Sequence, residues 1–182
     1  MGEPTQTLIR EARRADAPQI ARVHVDSWRT TYSGIVPADF LAKMSYEDFE
    51  ARWSDWLTAG GSVVVYVAES PRGRIFGFAS GGPQSEGRYP EYEGELYTAY
   101  LLREHQRRGL GRRLIGAVAE GLAAEGRRSM LAWVLAENPS RLFYEAIGAK
   151  LLGSQVIEIG EVALEEVAYA WNDVRNFATS NR

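Results

Sequence analysis

The chain has 182 residues, 45% of them hydrophobic, enough for one domain with a sizeable buried core. Cysteine is absent and histidine occurs only at 24 and 105, which removes disulfides and thiol nucleophiles and disfavours a histidine-rich metal centre, so no metal is expected. A net charge of −3 argues against a nucleic-acid binder, no apolar run approaches the ~18 residues of a membrane span, and Met1–Arg14 is too polar for a signal peptide; a cytoplasmic location is expected.

In chain order, Gln6–Glu11 predicts an opening strand. Asp16 predicts the cap of a helix whose apolar positions Ile20, Val23 and Trp28 fall at helical spacing, with Val25 off that face. Trp28–Ala38 is predicted as a loop, and an aromatic-rich helix is predicted over Tyr46–Leu57, ended by Gly60-Gly61. Ser62–Glu69 is a near-continuous β-branched run that Pro71-Arg72-Gly73 turns into a second strand, Arg74–Gly81, as an antiparallel hairpin. The Gly/Pro/Ser-rich segment Gly81–Glu93 reads as a mobile connection, and Glu95–Leu102 as a further strand.

After that strand comes Gln106-Arg107-Arg108-Gly109-Leu110-Gly111, opening a helix in which Leu110, Leu114, Ala117, Val118, Gly121 and Leu122 recur at three and four residues until Gly126. Glycine at 109 and 111 frees the backbone to gather several N–H groups on one anion, and the helix start adds unpaired N–H groups and a positive dipole end. With arginines at 107, 108, 112 and 113, the turn is a candidate pyrophosphate cradle. An ordinary strand-to-helix turn with solvated arginines is the alternative. A nucleotide-hydrolase loop would need Lys-Ser or Lys-Thr after Gly111, where Arg112-Arg113 stands, and a dinucleotide fingerprint would need glycine at Leu114.

Met130–Leu135 predicts a short buried strand. Asn138-Pro139 predicts the N-cap and first residue of a helix to Ile147, with Leu142, Phe143 and Ile147 on its apolar side, Tyr144 as the polar aromatic among them, and Gly148 as a left-handed C-terminal residue. Strands follow at Ala149–Ile159 and Glu166–Trp171, the latter with Val167, Tyr169 and Trp171 on one face.

The turn, with Gln106, Gly109 and Gly111, resembles the coenzyme A signature of the GNAT N-acetyltransferase superfamily, and Asn138 to Gly148 resembles its second signature. The resemblance implies an α/β (α+β) fold: a single GNAT domain over 1–182, with a mixed, mostly antiparallel sheet of about seven strands flanked by about four helices and splayed central strands. It also implies acetyl-CoA as co-substrate, and direct transfer of the acetyl group to a primary amine, on a small molecule or a protein α-amine, in a ternary complex. The residues expected to hold the cofactor are Leu101, Leu102, Arg103, Gln106, Arg107, Arg108, Gly109, Leu110, Gly111, Arg112, Asn138, Arg141 and Tyr144, with the pantetheine arm in the splay and Leu101 as its backbone partner.

Tyr144 is the expected general acid, and Glu95 the expected base, directly or through water, with Glu93 as competitor. Trp28 and Tyr32 flank the loop that borders the acceptor site in relatives, and Tyr97 joins Glu93 on the substrate side. His105 is expected to pack in the turn and His24 in the interior. Asp26, Glu86, Glu91 and Glu93 are placed to attract a cationic amine, and 81–93 to serve as a lid. A homodimer is left open. The other readings are a non-catalytic acyl-CoA sensor and, further off, a dinucleotide-dependent oxidoreductase.

Overall fold

The computed structural model describes residues 6–85 and 87–180. Seven strands form one sheet: β1 (Leu8–Glu11), β2 (Val64–Glu69), β3 (Ile75–Pro83), β4 (Gly94–Leu101), β5 (Met130–Leu135), β6 (Lys150–Ile159) and β7 (Val162–Trp171). The helices are α1 (Ala17–Thr31), α2 (Ala38–Lys43), α3 (Tyr46–Ala59), α4 (Leu110–Ala124) and α5 (Arg141–Ala146). The order across the sheet is β1-β2-β3-β4-β5-β7-β6. All neighbours are antiparallel except β4 and β5, which run parallel.

That parallel seam is very short. Only Gly94 with Met130 and Glu95 with Leu131 are in register, after which the two strands part. The splay expected of the central strands is therefore present. It divides the sheet into β1–β4 and β5-β7-β6, held together largely by what packs across the gap.

Two layers of helix do that packing. On one face, α4 buries Leu114, Ile115, Val118 and Leu122 against Phe76, Leu96, Met130 and Tyr169. Fully buried leucines of this kind lose ~2–5 kcal/mol on truncation to alanine. On the other face, α1 and α3 place Ile20, Val23 and Trp53 against Val67, Ile75 and Phe78. β3 is thus covered on both sides, which explains why Ile75 to Gly82 are all buried.

Several sequence expectations shift in the structure. Helix α1 continues through Thr31, so Trp28 to Thr31 are helical and the loop begins at Tyr32. Val25 is buried too, because α1 is flanked by a third apolar cluster with Tyr32, Val36, Leu41 and Leu135. Helix α2 is an addition; six residues carry too little periodicity to announce it. Asp16 does stand at the start of α1 but makes no cap bond there. Its carboxylate instead takes the Arg10 guanidinium at 2.7 and 2.9 Å and the Arg13 amide at 2.7 Å.

The α5 region departs furthest. The helix starts at Arg141, and Pro139 lies in the preceding turn. Asn138 Oδ1 accepts the Ser140 N–H at 2.9 Å, so the side chain closes a turn instead of capping the helix directly. The expected apolar side holds only at Ile147, which packs against the core: Leu142 is 60% exposed and Phe143 36%, whereas Tyr144 is buried at 9%. Gly148 adopts φ +89°, as a left-handed terminus requires.

Candidate active site

The turn after β4 is built from unusual backbone. A short 3-10 turn (Arg103–His105) leads to Arg107 at φ 62° and Gly109 at φ 74°, both left-handed. Gly109 is the N-cap residue of α4 and offers no side chain, so the first amides of the helix have no cap bond. A Cβ on Gly109 would meet nothing within 4 Å, which leaves the approach to those amides open. Gly111 is different: a Cβ there would lie 3.2 Å from the Phe143 ring, so its bareness lets α5 dock on the turn.

Side chains brace this backbone from below. Gln106 Nε2 donates to Leu101 O at 3.0 Å, and the His105 ring stacks on Phe76 at 3.9 Å between centroids. Leu110 is buried and anchors the helix start. Arg103, Arg107, Arg108, Arg112 and Arg141 are exposed around the turn. Arg113 turns away, donating to Thr7 O at 3.2 Å. Exposed amides at a helix start with cations around them suit a polyanion such as a pyrophosphate.

Leu102 donates its N–H to Phe76 O on β3 at 2.9 Å. Its amide is therefore committed to the sheet. By the alternation of an antiparallel ladder, the N–H and C=O of Leu101 and Ala99 face the opposite edge, into the splay. Leu101, the expected backbone partner of the arm, thus turns its main chain toward the splay, although Gln106 occupies its carbonyl.

The gap between β4 and β5 holds a cavity of about 70 Å³. Gln106, Ser140 and Leu101 stand at its turn side, and Ser27, Thr31 and Tyr32 at its α1 side. Tyr97, Thr98, Tyr100, Trp133, Asn138 and Tyr144 also line it. Among the described residues lining it, none carries a formal charge.

Tyr144 projects from α5 between Tyr169 and Trp171, with ring centroids at 6.1 and 5.7 Å. Burial, reinforced by nearby Tyr32, pushes its pKa well above that of an ordinary phenol. The group is therefore a neutral hydroxyl at any physiological pH, able to donate. Across the cavity, Trp28 Nε1 donates to Tyr100 Oη at 2.9 Å, and the Tyr32 side chain lies beside that of Tyr100. Asn138 Nδ2 reaches the Tyr32 hydroxyl at 3.5 Å. Trp28 and Tyr32, expected near the acceptor, thus join a polar row with Tyr100, which sequence reasoning passed over as a strand residue. Asn138 serves the same row from the other side, as a brace for the wall.

The carboxylates lie elsewhere. Glu95 is buried at 7%, and its Oε2 accepts the Ser85 N–H at 2.8 Å and the Ser85 hydroxyl at 2.7 Å. It precedes the first cavity-lining residue of β4, Leu96. Glu93 accepts the Arg128 N–H at 2.5 Å, toward the α4–β5 connection. Asp26 accepts the Tyr46 hydroxyl at 2.6 Å. Glu86 is outside the described residues. Of the 81–93 segment expected to be a mobile connection, 81–83 belong to β3, the Gln84 amide donates to Tyr89 O and Tyr92 O at 2.7 and 3.2 Å, and Arg88 donates to Gln155 at 2.8 Å.

Simple alternation would put 95, 97, 99 and 101 on one face of β4. A β-bulge overturns this: Ser80 pairs with Thr98 but Gly81 with Leu96, leaving Tyr97 as the extra residue. Ala99 and Leu101 pack on the α4 side, whereas Tyr97 reaches over Gly82 and bonds Pro83 O. The bulge re-aims Tyr97 into the cavity wall while Glu95 stays behind it.

His24 is an interior residue, its Nδ1 accepting from Trp53 Nε1 at 3.2 Å amid Phe49, Phe78 and Tyr100. Burial lowers its pKa to about 4, helped by nearby Arg52. Among the described residues no group of three or more His, Asp or Glu gathers as a metal site, and no helix is long and apolar enough to cross a membrane.

A mixed sheet opened between parallel β4 and β5, with an amide-rich turn at the mouth of the opening, defines a class of acyl-group transferase. Residues 84–157 match the family of FR47-like proteins. The chain is 44% identical over 174 residues to the uncharacterized N-acetyltransferase YuaI of Bacillus subtilis (strain 168), covering 94% of this chain and 96% of that one. It is 26% identical over 157 residues to the L-methionine sulfoximine/L-methionine sulfone acetyltransferase of Pseudomonas aeruginosa (strain PAO1), covering 84% and 85%. Its fold matches the PaiA N-acetyltransferase of Thermoplasma acidophilum in complex with coenzyme A, with TM-score 0.68 and 19% identity over 89% of this chain and 98% of that one. The chain belongs to the GNAT family of N-acetyltransferases, which take their acetyl group from acetyl-CoA.

Proposed function

We propose that this protein moves the acetyl group of acetyl-CoA directly to a primary amine held with it in one ternary complex. The observation that carries the reading is the neutral cavity in the β4–β5 gap, lined by the turn on one side and by α1 on the other, with Tyr144 in its wall. The residues fit the co-substrate. Open amides at Gly109 and the start of α4, with the exposed arginines 103, 107, 108, 112 and 141, suit its pyrophosphate, and the gap-facing main chain of Ala99 and Leu101 suits an extended amide-bearing arm. When bound, it supplies an activated acetyl thioester.

The protein's own contribution is alignment, exclusion of water and proton handling. Tyr144 is the proton donor to the departing sulfur, because burial keeps its phenol neutral. The amine enters from the α1 side, past Ser27, Thr31 and Tyr32. Glu95, one residue behind the cavity wall, takes the amine's proton through water; with no charged side chain in that wall, direct contact is not the geometry the site offers. A small-molecule acceptor is favoured by the small bore of the cavity and by the Pseudomonas relative, whose named substrates are small amino-acid analogues.

The test is release of free thiol from acetyl-CoA with a panel of primary amines, for the parent and for Tyr144→Phe. The parent should turn over, and the variant should lose kcat by roughly 10- to 1000-fold with unchanged acetyl-CoA affinity. Thiol release with no amine dependence, or an unaltered kcat in a variant whose chemistry is rate-limiting, would defeat the assignment.

A further inference from the structure

The reading above leaves one buried group in the cavity unaccounted for. Ser27 is 3% exposed on α1, and its Oγ has no hydrogen-bond partner among the described residues. A buried hydroxyl in that state is costly, and native structures leave few of them. The helix offers an immediate remedy, a bond back to the carbonyl four residues earlier. Other helical hydroxyls in the same molecule use it: Thr30 Oγ1 donates to Asp26 O at 2.9 Å, and Thr58 Oγ1 to Ser54 O at 2.6 Å. Ser27, next door to Asp26 on the same helix, does not.

Position supplies the reason. Ser27 and Thr31 are one helical step of four apart, so they share the stripe of α1 that lines the cavity. They form its wall opposite the turn, where the amine enters. The neighbouring polar groups are already engaged: Trp28 with Tyr100, and Asn138 with Tyr32. Ser27 is left with hydrogen-bonding capacity that this row does not consume. No carboxylate lines the cavity among the described residues, so nothing there would welcome a bare ammonium ion.

We infer that Ser27 is an acceptor-recognition residue: its Oγ accepts an N–H of the neutral primary amine and turns the nitrogen lone pair toward the thioester. The inference rests on the acetyl-transfer reading and adds to it the protein atom that holds the nucleophile. The partner it assigns is an uncharged amine nitrogen, received by one hydroxyl instead of by an ion pair.

Ser27→Ala separates this role from a structural one, because the two move stability and activity differently. Removal of a hydroxyl with no partner should leave the ligand-free melting temperature unchanged or raise it by a few degrees. With benzylamine, tyramine and 2-aminoethanol as probes, the same variant should raise the amine KM roughly three- to tenfold, about the worth of one neutral hydrogen bond. Its acetyl-CoA dissociation constant by calorimetry should not change. A lower melting temperature would show that the hydroxyl holds the fold together, and an unchanged amine KM would show that it does not touch the acceptor; either overturns the inference. A parent enzyme inactive on every probe amine would overturn both the acetyl-transfer reading and this inference, whereas an active parent with a lowered melting temperature or an unchanged amine KM in Ser27→Ala would overturn the inference alone.

Discussion

The two sides of the cavity are made in different ways. The turn side is main chain: left-handed Arg107 and Gly109, the uncapped start of α4 and the gap-facing edge of β4. All of it comes from one run of about a dozen residues, because amides can converge only when the chain turns tightly. The α1 side is made of side chains from distant segments, Ser27 and Tyr32 from the first helix region, Tyr100 from β4 and Asn138 from the β5–α5 link. Backbone recognition suits a ligand shared by a whole family, and side-chain recognition suits one that each member chooses for itself.

The contrast can be broken most forcefully at Gly109. Gly109→Val would strain a position at φ 74° and place a branched side chain over the open amides. We expect acetyl-CoA affinity to fall at least ~10-fold, with ~1–3 kcal/mol of stability lost to the strained backbone. Calorimetric affinity equal to the parent's would mean the cofactor is not read through this main chain.

A smaller effect is expected at Glu95, on the border of the acceptor side. Glu95→Gln keeps an acceptor for the Ser85 hydroxyl and removes the base, so kcat/KM for the amine should fall roughly 10-fold and its acidic limb should flatten. A profile matching the parent's would hand the proton to solvent. The same measurement on Glu93→Gln is the control, since that carboxylate is engaged with the Arg128 amide outside the cavity.

A different kind of effect, on stability alone, concerns His24, behind the acceptor wall. Its folded pKa of about 4 lies below the ordinary 6.5, so the unfolded chain binds the proton more readily between those values. Stability should therefore be intact above pH 6.5 and decline as pH falls toward 4, by about 3 kcal/mol in the limit. His24→Phe cannot titrate, so its denaturation midpoint should vary less across that window, whatever its absolute stability. Equal slopes would remove His24 from the acid response.

The same division decides what the sequence discloses. The turn is legible because its chemistry is local: glycine spacing, arginines and an apolar helical repeat are adjacent letters. So are β5, whose bounds emerge as read, and the Gly148 terminus. Tyr144 was legible as a residue, but its burial was not, because the docking of α5 through Gly111 and Phe143 is a tertiary fact that exposes Leu142 and Phe143 instead. The bulge at Tyr97 was hidden for the same reason, since one extra residue against β3 changes which side chains face together and leaves no mark in β4 itself. Ser27 could have been found only by asking of each helical hydroxyl whether it bonds back along its helix, a question of coordinates.

The short seam between β4 and β5 has a further consequence. A sheet paired at only Gly94–Met130 and Glu95–Leu131 keeps two edges inside the molecule where a continuous sheet would have none. Exposed edges invite a chain with its own amides, and an extended one lying in the gap would act as an eighth strand, stitched between halves that otherwise barely touch along their backbones. Its binding energy would be added to the cohesion of the fold, so that the protein is most completely a β-sheet only while it is at work.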